Sequence, residues 1–202
     1  MSEQGTRDWL VERSGCATSS EFYKILMGKS TAGRKGYIAQ LVCELLTGEP
    51  VETYVNADME WGTLYEPEAR SVYEAINDVQ VKQVGFIKHD SLQAGASPDG
   101  LVGTDGLIEI KCPKTVTQID TLIGNKAPKK HLPQMQGQMW ITNRKWCDFV
   151  SYDPRLDPKN AYFCVRVERD DEYIANLEKE VTAFLIEVDE LVTKLKARSQ
   201  RF

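Results

Sequence analysis

The amino-acid sequence predicts an α/β fold: a mixed central sheet flanked by helices, with a long helix at the C-terminal end. Three observations carry this. Apolar residues in the first third recur every three or four positions, the middle switches to short β-branched or alternating runs, and the last thirty residues return to an unbroken helical period.

In chain order, Thr18 and Glu21 have capping-box spacing and predict a short helix through about Met27. Ile38, Leu41, Val42, Leu45 and Leu46 share one face of a helix that Gly48 ends. Trp61, Leu64, Tyr65, Ala69, Val72, Tyr73 and Ile76 form a second stripe, in which Pro67 predicts a kink or a first-turn position. Val79–Lys88 and Leu92–Ala96 read as strands, Gly95, Pro98 and Gly100 as turn punctuation, and Leu107–Lys111 as a short alternating strand. Helices are predicted at Val116–Ile123 and Leu132–Thr142, and strands at Trp146–Tyr152 and Tyr162–Val167. From about Asp171 to Ala197, Ile174, Leu177, Val181, Phe184, Val188, Leu191 and Leu195 form one seam. It is read as packing along the sheet or a neighbouring subunit in preference to a coiled coil.

The length of 202 residues and the 42% hydrophobic content predict one domain over 1–202, with a core at about 9–170 and a helix at about 171–198. No apolar run approaches the ~20 residues of a membrane span, and the first residues are too polar for a signal peptide, so an intracellular protein is expected. Five scattered cysteines without a CxxC pair argue against a disulfide framework or a zinc ribbon. Two histidines leave any metal to carboxylates. A net charge of −5 does not advertise a nucleic-acid partner. The basic groups at Lys24, Lys29, Arg34 and Lys35, at Lys126, Lys129 and Lys130, and at Arg144 and Lys145 each read singly as solvated surface.

The chemistry-bearing stretch is Ser97-Pro98-Asp99-Gly100, followed eight residues later by Glu109-Ile110-Lys111. On a strand Glu109 and Lys111 project together while Ile108 and Ile110 turn to the opposite face, and a hairpin would bring Asp99 to Glu109. Two carboxylates are hard oxygen donors suited to Mg²⁺ or Mn²⁺, and a neighbouring lysine can screen charge on a reacting phosphate. Pro-Asp-Gly is also an ordinary β-turn sequence, and Glu-x-Lys an ordinary surface pair. Gly28-Lys29-Ser30-Thr31 has the ending of a phosphate-binding loop but lacks the preceding strand and first glycine.

Asp99…Glu109-x-Lys111 resembles the D…(D/E)xK signature of restriction-endonuclease-like nucleases. The wider chain resembles the lambda-exonuclease and YqaJ-type viral recombinase family. The resemblance rests on Arg13-Ser14-Gly15…Thr18-Ser19-Ser20-Glu21, Trp61-Gly62…Tyr65-Glu66, Ala96-Ser97-Pro98-Asp99-Gly100, Glu109-Ile110-Lys111-Cys112-Pro113, Gln134-Met135-Gln136 with Met139-Trp140, and Tyr152-Asp153-Pro154-Arg155. It implies a restriction-endonuclease-like core and a Mg²⁺-dependent 5′→3′ exonuclease, with Mn²⁺ as substitute. The expected substrate is linear double-stranded DNA with a 5′-phosphate, released as mononucleotides to leave a 3′ single strand. It further implies a ring-shaped homotrimer, a single-strand annealing protein as partner, no membrane, and a phage or prophage origin with action in the bacterial cytoplasm.

Residue by residue, the resemblance makes Asp99, Glu109 and the Ile110 carbonyl metal ligands, Lys111 the catalytic lysine and Glu66 an acidic residue beside the metal. Arg13, Ser20, Ser97 and Gln134 match the pocket for the terminal 5′-phosphate. The segment Gly28–Gly36 departs from the family in length and composition. Competing functions are an endonuclease or another nuclease of the superfamily, and a non-catalytic DNA-binding protein; dispersed cysteines argue against an iron–sulfur nuclease.

Overall fold

The computed structural model describes residues 2–51 and 56–199. Helix α1 (Arg7–Arg13) leads through β1 (Ala17–Thr18) and a 3₁₀ turn into α2 (Phe22–Ile25), α3 (Ala32–Thr47) and α4 (Ala57–Asn77). Strands β2 (Val81–Lys82), β3 (Ile87–Lys88), β4 (Ala94–Ala96), β5 (Gly100–Val102) and β6 (Gly106–Lys111) follow. Helices α5 (Thr115–Gly124) and α6 (Leu132–Thr142) precede β7 (Trp146–Tyr152), β8 (Tyr162–Glu168) and α7 (Asp171–Ser199).

The central sheet has the order β2-β5-β6-β7-β8. All its neighbours are antiparallel except β6 and β7, whose parallel pairing is bridged by the α5–α6 crossover. Because helices cover both faces of β6, its residues from Gly106 to Ile110 are buried in succession rather than alternating with water-facing ones. Ile108 and Ile110 pack with Ala69 and Tyr73 of α4, whereas Leu107 packs with Met135 and Met139 of α6. A third core joins α2, α3 and α7 through Phe22, Tyr37, Leu41, Leu177 and Phe184.

The expected mixed α/β architecture is present, with local corrections. Thr18 makes no side-chain cap; its hydroxyl instead accepts from Arg13, and the helix after it is a 3₁₀ turn plus four α residues. The run Val79–Lys88 divides between two sheets, β2 pairing with β5 and β3 with β4, so the sequence's single strand is two. A second, three-stranded sheet, β1-β4-β3, thus lies beside the central one. Gly95 and Gly100 lie within strands, not in a turn, because a Cβ at either would meet Phe86 or Val81. Pro67 sits inside α4, beyond its first turn. The α7 seam holds from Ile174 through Val188, then rotates: Val192 is buried, while Leu191 and Leu195 are 39% and 38% exposed. A 3.6-residue helix drifts off a 3.5-residue pattern over this length. The seam packs on α3, α6 and α2, in a core that also takes in Ala17 of β1 and Ala94 of β4.

An ion pair ties α3 to α7. Buried Arg34 donates to both oxygens of Glu187 at 2.8 and 3.0 Å, and Lys29 approaches at 3.0 Å. The Arg34 hydrogen bond leads in holding the Glu187 carboxyl down at about 2. Its stabilisation is present above the ordinary carboxyl range and is lost as pH falls toward about 2. Urea melts of Glu187→Gln are expected to lose less stability than the parent between pH 4.5 and 2.5. Equal losses would contradict this. Among the described residues, no helix is long and apolar enough to cross a membrane.

Candidate active site

The site lies where β5 and β6 part. Strand β5 pairs with β6 only from Gly106 to Ile108, so the edge of Glu109–Lys111 on that side has no strand partner. Asp99, one residue before β5, fills the gap: its Oδ2 accepts the Ile110 N–H at 2.6 Å. In an extended strand the carbonyl of a residue leaves on the same edge as its N–H, so the Ile110 carbonyl faces the Asp99 side. Asp99 Oδ1 has no hydrogen-bond partner among the described residues.

A cleft of about 350 Å³ opens here, lined by Asp99, Ile110, Lys111, Glu66, Lys130 and His131 among others. The expected alternation along β6 holds, since Glu109 and Lys111 share the face toward α6. Glu109 is nonetheless completely buried. Its Oε2 accepts from the Gln138 amide at 2.6 Å, and its Oε1 is paired with Lys111 Nζ. Gln138 was missed in the sequence, although it lies one helical turn from Gln134 on the same face of α6.

Electrostatics couple these groups. Burial, then the Glu109 and Glu66 carboxylates, push the Asp99 carboxyl well above its ordinary range. Glu66 is raised by burial, opposed by its ion pair with Arg70. Burial disfavours the Lys111 ammonium, but Glu109 and Asp99 overcome it and hold Lys111 above its usual value. The Cys112 thiol beside the cleft is pushed to about 12 by burial and by Glu66 and Asp99, so it stays a neutral thiol.

This donor set fits a hard divalent cation. Carboxylates held near one another, with one oxygen of Asp99 unengaged, gain stability from added positive charge. Lys111 supplies the compensating charge on Glu109. Among the described residues no three His, Cys, Asp or Glu side chains close into a ready-made cage. That suits an ion completing its shell with water and phosphate oxygens. Asp99, the Ile110 carbonyl and Glu109 would hold it. Glu109 could do so only as Lys111 releases Oε1.

The residues expected at a terminal phosphate are largely brought together. Arg13 donates to Thr18 Oγ1 at 3.2 Å, and that hydroxyl lies 3.3 Å from Ser20 Oγ. Trp9 joins this group to the Asp99 turn, donating its indole N–H to Ser97 Oγ at 3.0 Å beneath the Arg13 guanidinium, 4.2 Å from the ring. Gln134 is half-buried on α6 and makes none of these hydrogen bonds. Nothing local in the sequence marks the link of Trp9 to Ser97, 88 residues away. On the far rim, Arg155 stacks 4.2 Å over Trp61, pairs with Asp153 and donates to the Pro113 carbonyl at 2.9 Å, fixing α4 to the end of β6.

Comparisons with known proteins show the family and the fold. The family model for the YqaJ-like viral recombinase domain matches residues 8–145. The crystal structure of an alkaline exonuclease, LHK-Exo, from Laribacter hongkongensis is 45% identical in sequence. The alignment covers 97% of this chain and 99% of that one, with a TM-score of 0.91. The same protein in complex with dAMP superposes with a TM-score of 0.92, at the same identity and coverage. A phage-related exonuclease from Haemophilus somnus 129PT shares the fold, at 19% identity, with a TM-score of 0.72 over 89% of this chain and 96% of that one.

Proposed function

Because the chain belongs to the YqaJ-like viral recombinase domain family, we propose that it is a divalent-metal-dependent exonuclease that digests linear duplex DNA from 5′ to 3′, releasing mononucleotides. The observation that carries this is the meeting of Asp99, Glu66 and Lys111 in one cleft, with Glu109 paired to Lys111 behind it. The likeness to an exonuclease solved with a mononucleotide supports the same product.

The reaction is hydrolysis. A water oxygen forms a bond to phosphorus, the bond from phosphorus to the 3′ oxygen breaks, and that oxygen takes a proton. A bound Mg²⁺ or Mn²⁺ supplies a more acidic water and relief of charge on the leaving oxygen. Asp99, Glu109 and the Ile110 carbonyl would hold the ion, and Gln138 fixes one Glu109 oxygen. Lys111 Nζ orients the attacking water and screens charge developing on the phosphate oxygens. Glu66, restrained by Arg70, completes the acidic wall.

Arg13, Ser20 and Ser97 would grip the terminal 5′-phosphate, with Gln134 completing the pocket from α6. Arginine offers a charged fork and the hydroxyls single donors. Holding the end fixes the scissile bond relative to the carboxylates. Arg13→Ala is expected to raise KM for 5′-phosphorylated ends about tenfold or more and to narrow the preference over 5′-hydroxyl ends. An unchanged preference would remove Arg13 from the pocket. The ring of three subunits, the annealing partner and a single-domain chain over 1–202 belong to the same proposal.

Digestion of linear duplex beside closed circular plasmid, with Mg²⁺ and with chelator, tests the function. Mononucleotides from the linear DNA alone, and only with metal, are expected. Cutting of the plasmid would make the protein an endonuclease, and binding without cutting a non-catalytic DNA-binding protein.

A further inference from the structure

The crossover between α5 and α6 carries three lysines, of which Lys130 lines the cleft. Asn125, in the left-handed region at φ 46°, ends α5 and turns the chain into Lys126-Ala127-Pro128-Lys129-Lys130. Pro128 then caps a 3₁₀ turn, Lys129–His131, leading directly into α6. Lys130 lines the cleft together with Lys111 and Asp99, and its charge and that of Lys111 both act on His131, whose imidazole burial holds neutral, down at about 3.

Other cations around the cleft are already neutralised. Lys111 is paired with Glu109, Arg70 with Glu66, Lys114 with Asp58 and Arg155 with Asp153. Lys126, Lys129 and Lys130 are exposed, and among the described residues none of them has a carboxylate partner within ion-pair distance. A chain of net charge −5 therefore keeps a block of uncompensated positive charge within one five-residue segment, whose last lysine lines an acidic cleft. Solvated lysines scattered over a surface would not single out this segment. A polyanion whose reacting phosphate enters the cleft would bring its next phosphates to it.

We propose that the segment 126–130 is a backbone grip for the DNA strand outside the cleft, taking the phosphates beyond the scissile one without reading bases. This deepens the nuclease reading above and rests on it. The grip acts by releasing counterions, so it sets the salt dependence of binding and the length of DNA digested per encounter.

The test is duplex binding by fluorescence anisotropy in chelator, from 50 to 300 mM salt, followed by digestion in Mg²⁺. It compares the parent, a triple variant (Lys126→Ala, Lys129→Ala, Lys130→Ala), the corresponding triple Lys→Arg variant, and Lys179→Ala on α7 as an exposed control. The log–log salt slope of the alanine variant is expected to be shallower by about three, with affinity at 100 mM salt down at least about tenfold and shorter digestion tracts. The arginine variant should restore the slope, which a purely structural role would not require. A parent that digests DNA while the alanine variant keeps the parental slope would overturn the grip and leave the nuclease intact. A parent that neither binds nor digests DNA would overturn both. An alanine variant that keeps its DNA slope but loses affinity for an acidic protein would assign the lysines to a protein partner and overturn the grip.

Discussion

Lys111→Ala is expected to lower the rate of mononucleotide release from linear duplex by about 10²–10³-fold or more, the scale of losing a charged group aimed at a reacting oxyanion. The loss should fall on kcat with little change in KM, since Lys111 acts on charge that develops in the transition state. The variant has a second signature. Glu109 is completely buried and has Lys111 as its charge partner, so removing Lys111 leaves a buried carboxylate supported by Gln138 alone. Apo Lys111→Ala should melt below the parent, and Mg²⁺ should recover more of its Tm than it adds to the parent. Thermal melts with and without Mg²⁺ check this. A fully active variant would remove Lys111 from the chemistry.

Asp99→Asn is expected to abolish metal-dependent digestion while raising the Tm of the apo protein at neutral pH. Asp99 is pushed well above its ordinary range by burial and by Glu109 and Glu66. A carboxyl raised in this way favours the folded state most below its unfolded value near pH 4, and that contribution is lost as pH rises through the folded value. Ionised Asp99 is therefore a cost at neutral pH. Asparagine keeps an oxygen able to accept the Ile110 N–H while shedding the charge. A gain of about 1 kcal/mol would lift Tm by roughly 2–4 °C in a chain of this size. Mg²⁺ should stabilise the parent increasingly as pH rises, and Asp99→Asn hardly at all. A destabilised Asp99→Asn protein would mean that the Ile110 bond outweighs carboxylate repulsion.

Much of this was legible in the sequence because it is local. The helix Leu132–Thr142 and strand Trp146–Tyr152 have their predicted bounds, since uninterrupted periodicity and clear end signals coincide there. The hairpin that brings Asp99 toward β6 was expected from strand alternation and the Asp99–Glu109 spacing, although its turn at 103–105 was not marked, and Lys111 followed from its spacing. What escaped depends on tertiary placement. Burial of Glu109 requires α6 to cover that face of β6, which alternation alone cannot reveal. Gln138 becomes its hydrogen-bond donor only once α6 is docked. The division of Val79–Lys88 between two sheets has the same origin. Both halves have strand composition, and between them Gly85 lies so close to the Ser2 backbone that a Cβ there would meet the Ser2 carbonyl oxygen. At the phosphate group, the sequence offered Arg13, Ser20 and Ser97, but Trp9, 88 residues from Ser97, is linked to it only by the fold.

The proposed activity is metal-dependent hydrolysis of the 5′-terminal nucleotide of duplex DNA in the cleft beside Asp99 and Lys111. The most direct measurement follows a linear duplex carrying distinguishable labels at its 5′ and 3′ ends, with and without Mg²⁺, in the parent and Lys111→Ala. Early release of the 5′ label as a mononucleotide is expected, only with metal and only by the parent. Early release of the 3′ label, or equal release by Lys111→Ala, would contradict it.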